Sequence, residues 1–149
     1  MKKLKGFLTT KLWKIAIFLL ISSFSFSGQY KTALINRMNN IRNKVFENVD
    51  EGNDYQEKEA LRKMEEEWDR ELNIVYQKIM KIADSKTKNK LRNAQRAWIK
   101  FRDAETEKSY YTNNPTGGSM GVLFSINTAV QLTEERTLQL AEMYDVLNN

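Results

Sequence analysis

The longest periodic run of apolar side chains, at residues 54–83, restricts the fold more than any other feature of the sequence. Its apolar members follow one another at intervals of three or four positions: Leu61, Met64, Trp68, Leu72, Val75, Ile79 and Ile82. That spacing places them on one face of an α-helix. About 30 residues at ~1.5 Å each make a rod of roughly 45 Å. Such a rod cannot bury its apolar stripe alone, so other helices must pack against it.

Two further segments show helical periodicity. An apolar seven-residue repeat runs from about residue 120 to residue 147, and residues 28–48 carry apolar side chains at similar spacing. No segment alternates with a period of two for long enough to predict a strand. The sequence therefore predicts an all-α fold. We expect an antiparallel helical hairpin completed by a C-terminal helix, with an additional N-terminal helix, in a three- to four-helix bundle.

Residues 91–106 are predicted to lie in the second arm of the hairpin, because only the short connector 84–86 separates that arm from the first. Ser85 is a suitable N-cap for this helix. Gln95, Trp98 and Arg102 lie on one line of the helix surface. Two interpretations are open. The polar groups reach past Trp98 to water, or they form a polar network with a neighbouring helix.

The chain contains neither histidine nor cysteine. This composition excludes nucleophilic systems that depend on histidine or cysteine, and it excludes the usual zinc ligand sets. Chemistry based on carboxylates alone remains conceivable, with Asp69 and Asp103 as candidates, but both are better explained as salt-bridge partners. We therefore expect a protein that is not an enzyme and that binds neither cofactor nor metal.

Residues 1–27 are predicted to be a secretory signal peptide. Five lysines accompany an apolar run that begins at Ile15, and serines precede a cleavage position before Gly28. An uncleaved membrane anchor is the alternative, but the apolar run is short for a span of ~20 residues. The formal charge of +5 falls to 19 basic and 19 acidic residues once those lysines are removed. The charge therefore does not indicate nucleic-acid binding. We expect a periplasmic or secreted protein that meets the membrane only through the uncleaved signal segment.

Several ordered motifs in this chain resemble one known family. The first is "LR-x-AQ-x-x-W-x-x-(F/Y)-RD", matched by Leu91, Arg92, Ala94, Gln95, Trp98, Phe101, Arg102 and Asp103. Upstream, "D-x-x-LN-x-x-Y" is matched by Asp69, Leu72, Asn73 and Tyr76. Downstream, "GS" and "T-x-x-R-x-x-x-L" are matched by Gly118, Ser119, Thr133, Arg136 and Leu140. Over roughly residues 55–144 the chain thus resembles the lysozyme inhibitor LprI-like family of small exported bacterial proteins.

We therefore predict a division into a signal peptide (1–27), an N-terminal helix and turn (28–52), about which the resemblance says nothing, and an LprI-like helical domain (53–149). The resemblance implies a non-enzymatic binding protein with a protein partner, lysozyme being the named candidate. The alternative is a structural or interaction module of the periplasm or envelope with another ligand. Where the family often carries two cysteines, this chain has Thr106 and Thr128. A disulfide between those positions is therefore absent. The oligomeric state, and whether the first helix packs within its own chain, remain open.

In an antiparallel hairpin that turns near Ser85, the polar motif residues of the two arms face each other within about one helical turn. The expected pairs are Arg102 with Asp69, Trp98 with Asn73, and Gln95 with Tyr76, and Asp103 follows directly after Arg102. We predict that these residues form a partly buried network with a structural role. Breaking a buried ion pair of this kind from one side costs about 3–5 kcal/mol.

The one substantial loop in the family-like region is predicted at residues 110–121. It holds the chain's single proline and three of its six glycines. A phosphate-binding loop is rejected, because the Gly-Lys-Ser/Thr ending and the preceding strand are both missing. Loops often carry recognition residues. The candidate partner-binding residues here are Tyr110, Tyr111, Asn113, Asn114, Gly118 and Ser119.

Overall fold

A computed structural model of the chain describes residues 28–112 and 118–149. These residues form four helices and no strand: α1 (Gln29–Phe46), α2 (Asp54–Ile82), α3 (Ser85–Thr112) and α4 (Ser119–Asn148). The predicted all-α bundle is confirmed. The predicted signal peptide at residues 1–27 lies outside the described residues. None of the four helices is both long and apolar enough to cross a membrane.

The apolar stripe of α2 is buried along nearly its whole length. Six of its seven predicted members are buried, and Val75 and Ile79 have no exposed surface. The exception is Ile82, which is 44% exposed. The helix ends at this residue, and Ala83 adopts an extended conformation and is buried in its place. The stripe is therefore one turn shorter than the sequence periodicity predicts.

Helix α4 is the central helix of the bundle, and the other three helices all pack against it. It buries apolar residues along its full length, and Thr133 and Thr137 are buried among them. The Thr137 hydroxyl lies 3.5 Å from the backbone carbonyl of Trp68 in α2. Helices α2 and α4 run parallel to each other, and α1 and α3 run antiparallel to both.

Helix α3 is antiparallel to α2, as predicted, but the two helices hardly approach each other along their backbones. Both pack side by side on α4 instead. The physical reason is the composition of α3, whose buried residues are only Leu91 and Ser109. Its Ile99 and Phe101 are 41% and 51% exposed. Because α3 offers so little apolar surface, the stripe of α2 is covered mainly by α4.

Helix α1 packs within its own chain, a point that the sequence left open. Leu34 and Met38 are buried against α2 and α4. The first turn of α1 is capped from the far end of the chain. The Asp145 carboxylate of α4 accepts hydrogen bonds from the backbone N–H groups of Tyr30 (2.9 Å) and Lys31 (3.0 Å). A carboxylate at this position satisfies free donors and complements the helix dipole.

The turns between helices follow ordinary capping rules. Gly52 has φ +78°, which glycine adopts without steric cost, and Asn53 then caps α2 by accepting a hydrogen bond from the Gln56 backbone N–H. The cap of α3 is Asp84 instead of the predicted Ser85, because its carboxylate accepts hydrogen bonds from the backbone N–H and the hydroxyl of Thr87. An aspartate oxygen is at least as good an N-cap acceptor as a serine hydroxyl.

Candidate functional site

The gap between α2 and α3 forms an open groove of about 440 Å³. Its lining combines a few apolar side chains with many polar ones: Asp69, Leu72, Asn73, Tyr76, Arg92, Gln95, Arg96, Trp98, Ile99 and Arg102. Six of these are predicted site residues, and they come from both arms of the hairpin. We call this surface the α2–α3 groove. It exists because α2 and α3 both rest on α4 and leave a space between them.

Arg102 is the most connected side chain of the groove. Its guanidinium lies over the Trp98 ring, 5.3 Å from the ring centroid. Its Nε and Nη2 atoms donate hydrogen bonds to Asp103 Oδ1 at 3.1 and 3.0 Å. The Nη1 atom lies 3.9 Å from Asp69 Oδ1 across the groove. Arg102 therefore faces Asp69, but Asp103 is its closer partner.

The predicted pair of Arg102 and Asp69 is present across the groove, but only its arginine is partly buried. The Asp69 side chain is 53% exposed and that of Arg102 is 25% exposed. A 3.9 Å contact between such groups is a weak surface pair, worth about 0–1 kcal/mol. The cause is the packing of α3, which leaves the polar face of the hairpin open to solvent. This pair is therefore accessible to a ligand.

The other two predicted pairs meet in the groove without bonding to each other. Asn73 is exposed, and its amide donates to the backbone carbonyl of Asp69 (2.9 Å) and to the Asp69 carboxylate (3.2 Å). Tyr76 is half-buried against the core. Gln95 hydrogen-bonds to α4 instead of Tyr76, accepting from Arg136 Nε at 3.0 Å. The expected polar layer is thus divided between the α2–α3 groove and the α3–α4 contact.

Three groove residues on α3 were not among the predicted site residues: Arg96, Ile99 and Arg92, of which Arg92 was named only as part of the first motif. They lie within one turn of Gln95, so the helical period could have found them. Arg92 and Arg96 are exposed, and Arg92 Nη1 donates to Asn89 at 2.8 Å. With Arg102 they place three guanidinium groups on the α3 side, opposite the single lining carboxylate of Asp69. The groove is therefore predominantly basic.

The predicted loop at residues 110–121 is shorter than expected. Tyr110 and Tyr111 belong to the last turn of α3, where their rings make an edge-to-face contact with centroids 4.9 Å apart. Gly118 donates its N–H to the Tyr110 hydroxyl at 3.3 Å, and Ser119 begins α4 and accepts a hydrogen bond from Lys58. Asn113 and Asn114 lie outside the described residues. Ser, Tyr and Thr are not strong helix formers, so the contact with α4 explains better why α3 continues to Thr112: Ser109 is buried, and its hydroxyl lies 3.2 Å from the Phe124 carbonyl oxygen.

A close contact between α3 and α4 explains the glycine at position 121. A Cβ atom added to Gly121 would lie 3.0 Å from the backbone carbonyl oxygen of Tyr110. A larger residue at this position would force α3 and α4 apart by a few tenths of an ångström. Nearby, the Thr128 hydroxyl donates to the Ser109 hydroxyl at 2.8 Å. A polar contact thus joins α3 and α4 at Thr128, one of the two positions where the resemblance implies a cysteine, whereas the buried Thr106 hydroxyl at the other position has no partner among the described residues.

Within residues 28–112 and 118–149, no cluster of three or more carboxylates could hold a metal ion. A sequence model of the family described as lysozyme inhibitor LprI matches residues 47–140. The match spans α2 and α3, whose side chains line the groove, and most of α4, against which both helices pack. No curated protein and no solved structure matches the chain.

Proposed function

Because this chain belongs to the lysozyme inhibitor LprI family, we propose that it is an exported, non-enzymatic protein that binds and inhibits a lysozyme. The family match over residues 47–140 is the observation that carries this proposal. The open polar groove supports it, because a polar face that is not used for internal packing is available for a partner. An account based on a buried structural network would leave no such face.

The basic side of the α2–α3 groove is the surface we propose for contact with lysozyme. Lysozymes cleave a glycosidic bond with a pair of carboxyl groups that flank it. A guanidinium group can bind a carboxylate through two parallel hydrogen bonds. Arg92 and Arg96 are exposed on the surface of α3, where they can reach into a concave acidic cleft. Charge complementarity of this kind speeds association and selects the partner.

The test is the lysis of a bacterial cell-wall suspension by lysozyme, followed by turbidity, in the presence of increasing amounts of this protein. We expect the wild type to slow lysis and to bind immobilised lysozyme. The double variant Arg92→Gln/Arg96→Gln should need at least about tenfold more protein for the same inhibition, since each charged hydrogen bond contributes ~1.5–3 kcal/mol. The matched control is Arg62→Gln/Lys63→Gln, which removes equal charge from exposed positions of α2 outside the groove.

The results separate the proposed activity from the proposed surface. A wild-type protein that neither binds lysozyme nor slows lysis refutes the function and favours an envelope module with another ligand. Inhibition that falls equally in both double variants would show a nonspecific charge effect. Inhibition that is unchanged in Arg92→Gln/Arg96→Gln would remove the groove from the account and leave the loop end of the bundle as the contact.

The loop between α3 and α4 is the second contact that we propose. Tyr111 is 60% exposed in the last turn of α3, and Ser119 opens α4. Exposed tyrosines are frequent anchors in protein interfaces. We expect replacement of residues 113–119 by a neutral linker to abolish inhibition while the helical circular dichroism is retained. Full inhibition by the linker variant would restrict the contact to the groove.

Export is the third part of the proposal. We expect the chain to be cleaved after about Ser27, as the basic and apolar N-terminal segment predicts. Intact-mass analysis of the protein recovered from the periplasm or medium checks this expectation. A recovered mass that includes residues 1–27 would instead support an uncleaved anchor.

A further inference from the structure

A second groove lies on the opposite flank of α3, between the start of α3 and the end of α4. Its volume is about 570 Å³. The floor is apolar and consists of Leu91, Ala94, Leu140 and Met143. The rim is cationic and includes Lys86, Lys90 and Arg136. We call this surface the α3–α4 groove. It shares no lining residue with the α2–α3 groove.

The positive charge of this rim is not neutralised within the described part of the chain. No carboxylate lines the groove, and neither Lys86 nor Lys90 forms an ion pair with a described residue. Arg136 is half-buried, and its hydrogen bonds go to two neutral amides, Gln95 (3.0 Å) and Gln139 (3.2 Å). Burial lowers the pKa of Arg136. A guanidinium that is partly desolvated and held in place by amides is prepared to receive an anion.

The shape of the groove indicates what kind of anion fits. Small-molecule sites usually enclose most of their ligand. This groove is open to solvent, so it suits a segment whose other side is covered by its own protein. The lining of α3 runs from Lys86 to Ala94, which is roughly 12 Å or about two helical turns. That length accommodates apolar anchors spaced at i and i+4 on a bound helix.

We propose that the α3–α4 groove binds an acidic amphipathic helix of a partner protein. Two apolar side chains of that helix would lie on the floor formed by Leu91, Leu140 and Met143. Flanking Asp or Glu carboxylates would meet Lys86, Lys90 and Arg136. This is a binding activity separate from lysozyme inhibition, because its surface and its ligand chemistry are both different.

The test uses a synthetic helical peptide of about three turns, constrained by a side-chain staple, with Leu at i and i+4, Glu at the flanking positions and Ala elsewhere. Binding to the purified full chain is followed by fluorescence anisotropy and by NMR of the labelled protein. We expect saturable binding that weakens with added salt, with shift changes centred on residues 86–94 and 136–143. The same peptide with Gln in place of Glu should bind at least fivefold more weakly.

Variants distinguish this groove from general electrostatic attraction. Lys86→Gln/Lys90→Gln should weaken peptide binding at least fivefold, and Arg136→Gln should weaken it while its amide still fits between the two glutamines. Lys100→Gln is the control, since it is exposed on the same helix about 15 Å beyond Lys90. Lys86→Gln/Lys90→Gln should leave lysozyme inhibition unchanged. Lysozyme inhibition and peptide binding are therefore separate readouts, so failure of the peptide-binding proposal can be told apart from failure of the proposed lysozyme inhibition.

Three outcomes would overturn the proposal. The first is no binding of the Glu peptide, and the second is equal binding of the Glu and Gln peptides. The third is binding that is unaffected by Lys86→Gln/Lys90→Gln or that shifts resonances elsewhere. A single-chain fatty acid such as laurate, tested in parallel, provides the remaining comparison. If laurate binds at residues 86–94 and the peptide does not, the ligand of the α3–α4 groove is an anionic amphiphile and not a helix of a partner protein.

Discussion

The ion pair between Arg37 of α1 and Glu71 of α2 provides the sharpest test of how the bundle is held together. Arg37 donates from Nε to Glu71 Oε1 at 2.9 Å and from Nη2 to Glu71 Oε2 at 2.7 Å. The two hydrogen bonds are parallel, which is the strongest geometry for this pair of groups. The Glu71 side chain is only 9% exposed, whereas that of Arg37 is 45% exposed. Removal of Arg37 therefore leaves a buried carboxylate without its cation.

We expect Arg37→Met to lower the free energy of unfolding by about 2–3 kcal/mol. A fully buried pair broken from one side costs about 3–5 kcal/mol, and an exposed pair about 0.2–1 kcal/mol. This pair falls between these limits, because water can reach Glu71 through the space that Arg37 leaves. For a domain of this size the loss corresponds to a fall in Tm of roughly 6–15 °C. Methionine keeps most of the apolar stem, so the change reports mainly the lost guanidinium.

The Arg42–Glu134 pair is the matched control. It also joins α1 to the bundle through an arginine, at 2.9 Å, but its side chains are 48% and 31% exposed. Arg42→Met should cost no more than about 1 kcal/mol. The assay is urea unfolding followed by circular dichroism. Glu71→Met and the double variant Arg37→Met/Glu71→Met complete a double-mutant cycle with Arg37→Met. Equal losses of unfolding free energy for Arg37→Met and Arg42→Met would refute the idea that burial of Glu71 makes its ion pair the stronger one. Additive losses in the Arg37–Glu71 cycle would refute it as well.

Three further predictions follow from single contacts, all measurable by urea unfolding. Asp69→Ala should cost no more than about 1 kcal/mol in the free energy of unfolding, since the Asp69 side chain is 53% exposed and lies 3.9 Å from Arg102; a loss of 3 kcal/mol would restore the structural interpretation. Thr133→Val should leave the free energy of unfolding unchanged or raise it, because the buried Thr133 hydroxyl has no partner among the described residues. Thr137→Val should lower it by about 1 kcal/mol, since the Thr137 hydroxyl donates to the Thr133 carbonyl at 2.6 Å. A larger loss of stability for Thr133→Val than for Thr137→Val would contradict these hydrogen-bond roles. Hydrogen bonds from Thr87 hold the pKa of Asp84 below its usual value, so Asp84→Ala should destabilise at neutral pH. The difference in the free energy of unfolding between the wild type and Asp84→Ala should shrink as the pH falls below about 3.9, the unfolded pKa, and through the lower folded pKa. A difference that does not depend on pH would exclude the carboxylate charge as its source.

The helices themselves could be predicted from local information in the sequence. The three-and-four spacing from Leu61 to Ile79 is enough to specify α2, and the same stripe is buried in the structure. The turn at Gly52 and Asn53 also follows from residue chemistry, because glycine permits the positive φ and asparagine supplies the cap. Periodicity and capping act within a few residues, so a single sequence contains them fully.

The candidate site was predicted in part. The sequence identified which polar residues of the two arms face each other, since antiparallel register follows from a short connector, and Arg102 does lie across from Asp69. It did not show whether those residues are buried. Burial depends on which helix covers the stripe of α2, and that is decided by comparing the apolar surfaces of α3 and α4 in three dimensions.

Contacts between distant parts of the chain were decided only by the tertiary structure. Asp145 caps α1 from 115 positions away, and Arg37 pairs with Glu71 across two helices. Nothing in the local sequence around Asp145 distinguishes it from a solvated carboxylate. Side chains of one helix acquire such roles only when packing brings another helix end or charge within hydrogen-bond distance. The sequence by itself therefore determined the helices and their order, and the packing of α1 and α3 on α4 determined which polar residues became structural and which stayed open for binding.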